Sequence, residues 1–213
     1  GCDWNECTCN CAAQNGHLDC LKYARENGCP WTFRVCEYAA ANGRLDCLKY
    51  AHENGCEWRS DACMHAARYG HLDCLKYANE HGCPWNEDTC NYAAVKGTLN
   101  CLNYAYENGC PCTENTCAYA AKYGKLDCLK YLRGRICNIC HACESTEKHT
   151  KKCECGGQYV SRCPWDKLTC YNAAKRGRLN CLKYAHENGC PWDEGTCNVA
   201  VYEGHLDCLK YAC

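Results

Sequence analysis

An all-α solenoid of short paired helices is the fold this chain predicts. Three observations predict it: a glycine period, a cysteine period in phase with it, and two helix-like stretches in every unit. Glycines stand at Gly16, Gly43, Gly70, Gly97 and Gly124, evenly spaced, and the same interval recurs between Gly177 and Gly204. A fixed period of about 27 residues marks an array of stacked units. Counted from their first cysteine, the units begin at Cys2, Cys29, Cys56, Cys83, Cys110, Cys137, Cys163 and Cys190, so there are eight, the sixth one position shorter than the rest and the last cut short. Five repeats are expected over 1–136, an irregular Cys/His-rich unit, read also as a zinc-binding insert, over 137–162, and two further repeats, the last truncated, over 163–213. With Gly at position 1 and a stop partway through a unit at Cys213, a processed product or fragment is expected.

Within a unit the first stretch, such as Thr89-Cys90-Asn91-Tyr92-Ala93-Ala94, carries a threonine suited to capping a helix start. It places Cys90, Ala93 and Ala94 on one small, flat face at i, i+3 and i+4. The second, such as Leu72-Asp73-Cys74-Leu75-Lys76-Tyr77-Ala78, carries an apolar stripe, and Gly82 closes it where a left-handed C-cap is needed. Two helices of about ten residues cannot bury their own stripe, so successive pairs must stack on their neighbours.

Composition excludes several classes. Twenty-four Lys+Arg against 25 Asp+Glu leave a net charge of −1, so no strong field favours nucleic acid. The longest apolar runs are a few residues against the roughly 20 that cross a bilayer, so no membrane is expected as a partner. No nucleophile and base recur together outside the period, and no enzymatic activity is expected.

Thirty cysteines in 213 residues need a use. Three recur per unit, in the Gly-Cys loop, at the Thr-Cys helix start and in the Asp-Cys-Leu turn. Buried reduced thiols acting as small hydrophobes are the expected use, with Cys47, Cys74, Cys63 and Cys90 as representatives. A disulfide ladder needs short Cα separations at every step, and an odd number per unit cannot pair internally. Thiolate metal loading is the third alternative, and a cytoplasmic location accompanies the first.

The irregular unit differs. From Cys137 to Arg162 it has no leucine and one alanine, Ala142, too little apolar surface to offset its folding entropy. It contains Cys137-x-x-Cys140, His141, Cys143, His149 and Cys153-x-Cys155, nitrogen and sulfur donors suited to tetrahedral zinc. Cys137, Cys140, Cys153 and Cys155 are the candidate ligands, and without metal this unit is expected to uncouple the repeats on either side.

What varies between otherwise similar units is free to contact a partner. Those positions are Phe33, Arg34, Tyr38, Arg59, Met64, His65, Tyr69, Tyr92, Tyr119, Lys167 and Tyr171, types enriched at interface hot spots. The Trp of the Cys-Pro-Trp loop is expected to staple adjacent loops.

The run Thr-Cys-x-x-Ala-Ala-x-x-Gly-His-Leu-Asp-Cys-Leu-Lys-Tyr-Ala, met with small departures at 61 to 83 and 196 to 213, resembles the ankyrin repeat. More narrowly it is similar to the short, cysteine-rich repeats of large DNA viruses and of algal and oomycete proteins. The resemblance covers seven of the eight units and implies a scaffold that binds another protein on its concave side, where the variable residues above would lie. The unit is shorter than the family's usual length of roughly 33 residues, which implies a shortened finger. Lys151 to Cys163 resembles part of a MYND-type zinc finger, with Cys153-x-Cys155 for Cys-x-x-Cys and Val160 for a cysteine; that resemblance implies zinc and recognition of short peptides. A thiol-rich metal-binding protein and a disulfide-laced structural protein of an extracellular or particle assembly stand as the other functional classes.

Overall fold

A computed structural model describes residues 4–137, 144–145, 159–161 and 163–213. These residues form fourteen helices, arranged as seven antiparallel pairs, and one small sheet. No helix among them is long and apolar enough to cross a membrane. The chain divides into two compact units, Gly1–Pro111 and Cys112–Cys213.

The first unit holds α1 (Glu6–Asn15), α2 (Leu18–Glu26), α3 (Arg34–Ala41), α4 (Leu45–Glu53), α5 (Ser60–Tyr69), α6 (Leu72–Glu80), α7 (Glu87–Lys96) and α8 (Leu99–Glu107). The odd-numbered helices pack side by side in one row and the even-numbered in another. Leucines at one column, Leu21, Leu48, Leu75 and Leu102, are wholly buried between the rows, beside alanine pairs such as Ala66 and Ala67. Small residues on the odd helices let these pairs approach closely, which explains their flat predicted face.

Helix starts depart from expectation. Thr89 lies inside α7 and is fully buried, while the cap is Asn86, whose side chain accepts from the Asp88 N–H at 3.1 Å. The threonine is too far into the first turn to cap it, so a polar residue three positions earlier satisfies the free amides instead. The helix ends follow the glycines. Gly70 caps α5 at φ 83, and the next N–H, of His71, bonds Ala66 O, a closure that a side chain at Gly70 would strain.

Trp31 and Trp58 each wedge between consecutive even-numbered helices. Trp31 lies under the Arg25 guanidinium at 4.3 Å and meets Tyr50 edge-on at 6.1 Å; Trp58 stacks on His52 at 4.6 Å and meets Tyr77. The expected staple therefore joins helices rather than loops, because the ring reaches down past its own loop onto the even row.

The second unit holds α9 (Glu114–Lys122), α10 (Leu126–Arg133), α11 (Lys167–Lys175), α12 (Leu179–Glu187), α13 (Glu194–Tyr202) and α14 (Leu206–Ala212), with β1 (Arg135–Cys137), β2 (Glu144–Ser145) and β3 (Tyr159–Ser161) between α10 and α11. Helix α9 packs directly on α11, and α10 on α12. The Cys163 N–H bonds Leu132 O at 2.9 Å, as the Cys83 N–H bonds Ala78 O at 2.9 Å in a regular repeat. Cys163, and not Cys137, is thus the loop cysteine that follows α10. The intervening chain is therefore inserted between two helix pairs that stack directly on each other. Its ends are joined by the antiparallel pair β1 and β3, with Arg135 opposite Ser161 and Cys137 opposite Tyr159, while β2 lines the other edge of β1.

Candidate functional site

The four representative cysteines are buried as expected, Cys47, Cys63, Cys74 and Cys90 each being at most 1% exposed, while the columns open at the ends of the array, where Cys20 is exposed and Cys197 half-buried. Their geometry gives the loop column a second use. Cys29 Sγ donates to Asn5 O at 3.2 Å, Cys56 to Thr32 O at 3.4 Å, Cys83 to Arg59 O at 3.3 Å, and Cys110 to Asn86 O at 3.1 Å, always 24 residues back. In the second unit Cys190 donates to Asp166 O at the same offset of 24, and Cys163 to Thr113 O at an offset of 50, the excess being the length of the insertion. Each thiol satisfies a carbonyl just before the helix of the preceding repeat, which no alanine could do.

Burial also raises the thiols' proton affinity. The Cys74 thiol is pushed up to about 12, and those of Cys101, Cys128 and Cys181 to about 11, chiefly by removal from water. Cys36 and Cys63 are raised further by hydrogen bonding to the next loop cysteine, Cys56 and Cys83, together with burial. Buried protonated thiols are poor nucleophiles.

Of the variable residues, Tyr38, His65 and Tyr69 are brought together. With Gln14, Glu37, Ala41, Asn42 and His71 they line a cavity of about 640 Å³ against the odd row of the first unit. Tyr38 and Tyr69 are 37% and 48% exposed, so the aromatic wall is open to solvent. His65 stacks on Tyr69 at 6.2 Å, its Nδ1 is buried without a hydrogen-bond partner, and burial lowers its proton affinity.

Sequence reasoning passed over Glu37. Burial, and then the Asp61 carboxyl beside it, raise its carboxyl to about 7, and its Oε1 is also buried without a partner. A signal was present, since Glu37 occupies the same column as Met64 and Tyr171, both among the variable candidates, but an acidic residue on a short helix reads as solvated.

The other candidates serve local packing or stand alone. The Arg59 guanidinium stacks on Phe33 at 3.5 Å, and that of Arg68 lies 5.0 Å from Tyr92. Arg34 is exposed at the start of α3; Met64 and Tyr119 are half-buried. Tyr171 borders a separate, shallower cavity of about 350 Å³ with Lys175 and Tyr202 in the second unit. Lys167 is engaged with Asp193 at 2.9 Å. Of the metal candidates, Cys140, Cys153 and Cys155 lie outside the described residues, and Cys137 enters only through its backbone in β1. Among the described residues no cluster of three or more His, Cys, Asp or Glu is placed to hold a metal ion.

Stacked helix pairs with short connections and a glycine between the helices of each pair define a helical repeat scaffold. The family model for ankyrin repeats (3 copies) matches residues 36–143, and the chain belongs to the ankyrin-repeat family. Among solved structures, the crystal structure of the human ASB11 ankyrin repeat domain is similar with a TM-score of 0.67 and 17% identity, over 95% of this chain and 96% of that one. No curated protein matches the sequence.

Proposed function

We infer that the chain is a non-enzymatic scaffold for protein–protein interaction and that its first unit engages a partner at the Tyr38, His65 and Tyr69 cavity. The observation that carries this reading is the cavity's chemistry. Two exposed tyrosines supply rigid contact area, and among the described residues Glu37 Oε1 and His65 Nδ1 are buried without a hydrogen-bond partner, available to accept from a ligand. A partner side chain carrying N–H donors, inserted between the rings, would satisfy both. Selection of a displayed random peptide library on the full chain tests this. Peptides are expected to emerge whose affinity drops tenfold or more on Tyr38→Ser or Tyr69→Ser and is unchanged on Tyr23→Ser. Peptides indifferent to both cavity substitutions would refute the site.

A zinc-binding insertion is the second reading. It is supported by the β1–β3 pairing, because Cys140 follows Cys137 by three residues and Cys155 precedes Tyr159 by four, so both cysteine-bearing stretches leave the stem from paired positions. Cys137, Cys140, Cys153 and Cys155 would hold the ion. Native mass spectrometry should show one zinc per chain, lost on Cys153→Ser with Cys155→Ser; a metal-free chain after refolding in zinc would remove this reading.

A further inference from the structure

One regular repeat lacks the loop tryptophan. Before α9 the chain reads Cys110-Pro111-Cys112, so a cysteine stands where Trp31, Trp85, Trp165 and Trp192 stand elsewhere. Cys112 is half-buried, and its Sγ lies 2.6 Å from Cys163 Sγ. A disulfide bond is about 2.05 Å long, so very little movement separates this contact from a covalent one. Cys163 is the loop thiol that donates to Thr113 O, at the point where the insertion rejoins the stack.

Exposure distinguishes this pair from the regular columns. In Cys36 with Cys56, and in Cys63 with Cys83, both thiols are at most 4% exposed, and a dissolved oxidant reaches neither. Here one residue, Cys112, is half-buried, and only Cys163 beside it is fully buried. We propose that Cys112 and Cys163 form a redox modification site, oxidised by a low-molecular-weight disulfide such as glutathione disulfide to an intramolecular bridge across the base of the insertion.

The reaction proceeds in two exchanges. The Cys112 thiolate attacks one sulfur of glutathione disulfide; that S–S bond breaks, a mixed disulfide forms on Cys112, and the departing glutathione thiolate takes up a proton. Hydrogen bonds with Cys112 and Cys117, and then burial, hold the Cys163 proton tightly, so the second exchange is the slow one. Cys163 gives up its proton as its sulfur attacks Cys112 Sγ, releasing the second glutathione, which takes that proton. Two protein thiols are oxidised and one glutathione disulfide is reduced to two thiols. The bridge removes the Cys163 Sγ–H and with it the bond to Thr113 O, so oxidation exchanges one hydrogen bond for a covalent link closing about 50 residues.

Equilibration of the full chain in glutathione buffers of rising oxidised fraction, followed by acid quench, maleimide labelling under denaturant and peptide mapping, tests the proposal. The expected product is a Cys112–Cys163 linked peptide in most molecules, with Cys36, Cys56, Cys63 and Cys83 still labelled, and a melting temperature raised by about 5 °C or more over the reduced chain. Cys112→Trp restores the residue of the other repeats and should abolish both the linked peptide and the thermal response; Cys112→Ser serves the same purpose should the indole not fit. Maleimide on both Cys112 and Cys163 in folded, oxidised protein, or linkage of Cys163 to the buried Cys117 instead, would overturn it.

Discussion

The connection from α6 to α7 and the connection from α10 to α11 join equivalent helices by different means. The first runs through Gly82, at φ 80, and Cys83-Pro84-Trp85. The second leaves α10 at Gly134, at φ −53, and returns to the same kind of cysteine only at Cys163. Yet the closing hydrogen bond is the same, Cys83 N–H to Ala78 O and Cys163 N–H to Leu132 O, both at 2.9 Å. What a repeat array needs from a connection is that its two ends arrive at the right amide and carbonyl. The path between those points is free to lengthen, because the entropy of closing a loop grows only slowly with its length.

One column carries the comparison into the core. Ala78 in α6 and Leu132 in α10 are both fully buried at the same repeat position. If each pocket is shaped to its own residue, Leu132→Ala should cost about 2–4 kcal/mol and Ala78→Leu about 1–3 kcal/mol, read from urea unfolding midpoints. Equal, small effects would mean that the column tolerates either residue and that the insertion leaves no mark on the packing.

The thiols give a pH test common to both connections. An unfolded thiol loses its proton near pH 8.5, whereas Cys74 holds its own to about 12, and Cys101, Cys128 and Cys181 to about 11. Between those values the unfolded chain binds fewer protons at these four thiols, so their contribution to stability is complete below about pH 8.5 and falls as pH rises through 11. It is opposed by Cys56, Cys83 and Cys190, whose proton affinity is lowered by hydrogen bonds from Cys36, Cys63 and Cys170. Unfolding midpoints measured from pH 7 to 10.5 should decline above pH 8.5, less steeply in Cys74→Ala than in the parent at equal starting stability. A flat profile would mean that the thiols are exposed or already oxidised.

Smaller effects separate the glycines. Gly82→Ala is expected to cost about 1 kcal/mol, since its left-handed φ disfavours any Cβ although the space around it is empty. Gly134 carries no such φ, and although a Cβ there would meet Tyr131 O at 3.3 Å, Gly134→Ala should cost less. Smallest of all is the largest excision: replacing residues 134–162 with Glu-Asn-Gly should leave helical circular dichroism per repeat intact and move the melting point by only a few degrees. Unfolding of α11 to α14 on that deletion would show the insertion to be structural.

Much of this fold was legible because it repeats. The Leu75 column, the Ala66-Ala67 pair and the glycine after each helix recur in phase, and stacking leaves their neighbours nearly identical from layer to layer. The insertion was legible only in part: the stretch from Cys137 lacks the leucine pattern and reads as an irregular unit or an insert, but Cys137 falls one full period after Cys110, so the count continues through it. Only the acceptors of the Cys163 N–H and Sγ–H distinguish a layer from an excursion, and those are tertiary facts. Glu37 was missed because its burial is imposed by the packing of α3 with α1 and α5 and not by its own helix. Tyr38, His65 and Tyr69 were found because aromatic variation on a fixed frame stands out without any knowledge of the fold.

The thiol-to-carbonyl bond that each loop cysteine makes to the preceding repeat has an engineering consequence. It lets every Gly-Cys turn be recognised by what it grips, so the turn works as a socket: any polypeptide whose termini emerge as an antiparallel ribbon like β1 and β3 can be seated there without disturbing the layers above and below. The turns at Cys56, Cys83 and Cys190 present the same grip as Cys163. They are further ports where a foreign peptide or sensor hairpin can be mounted on this chain.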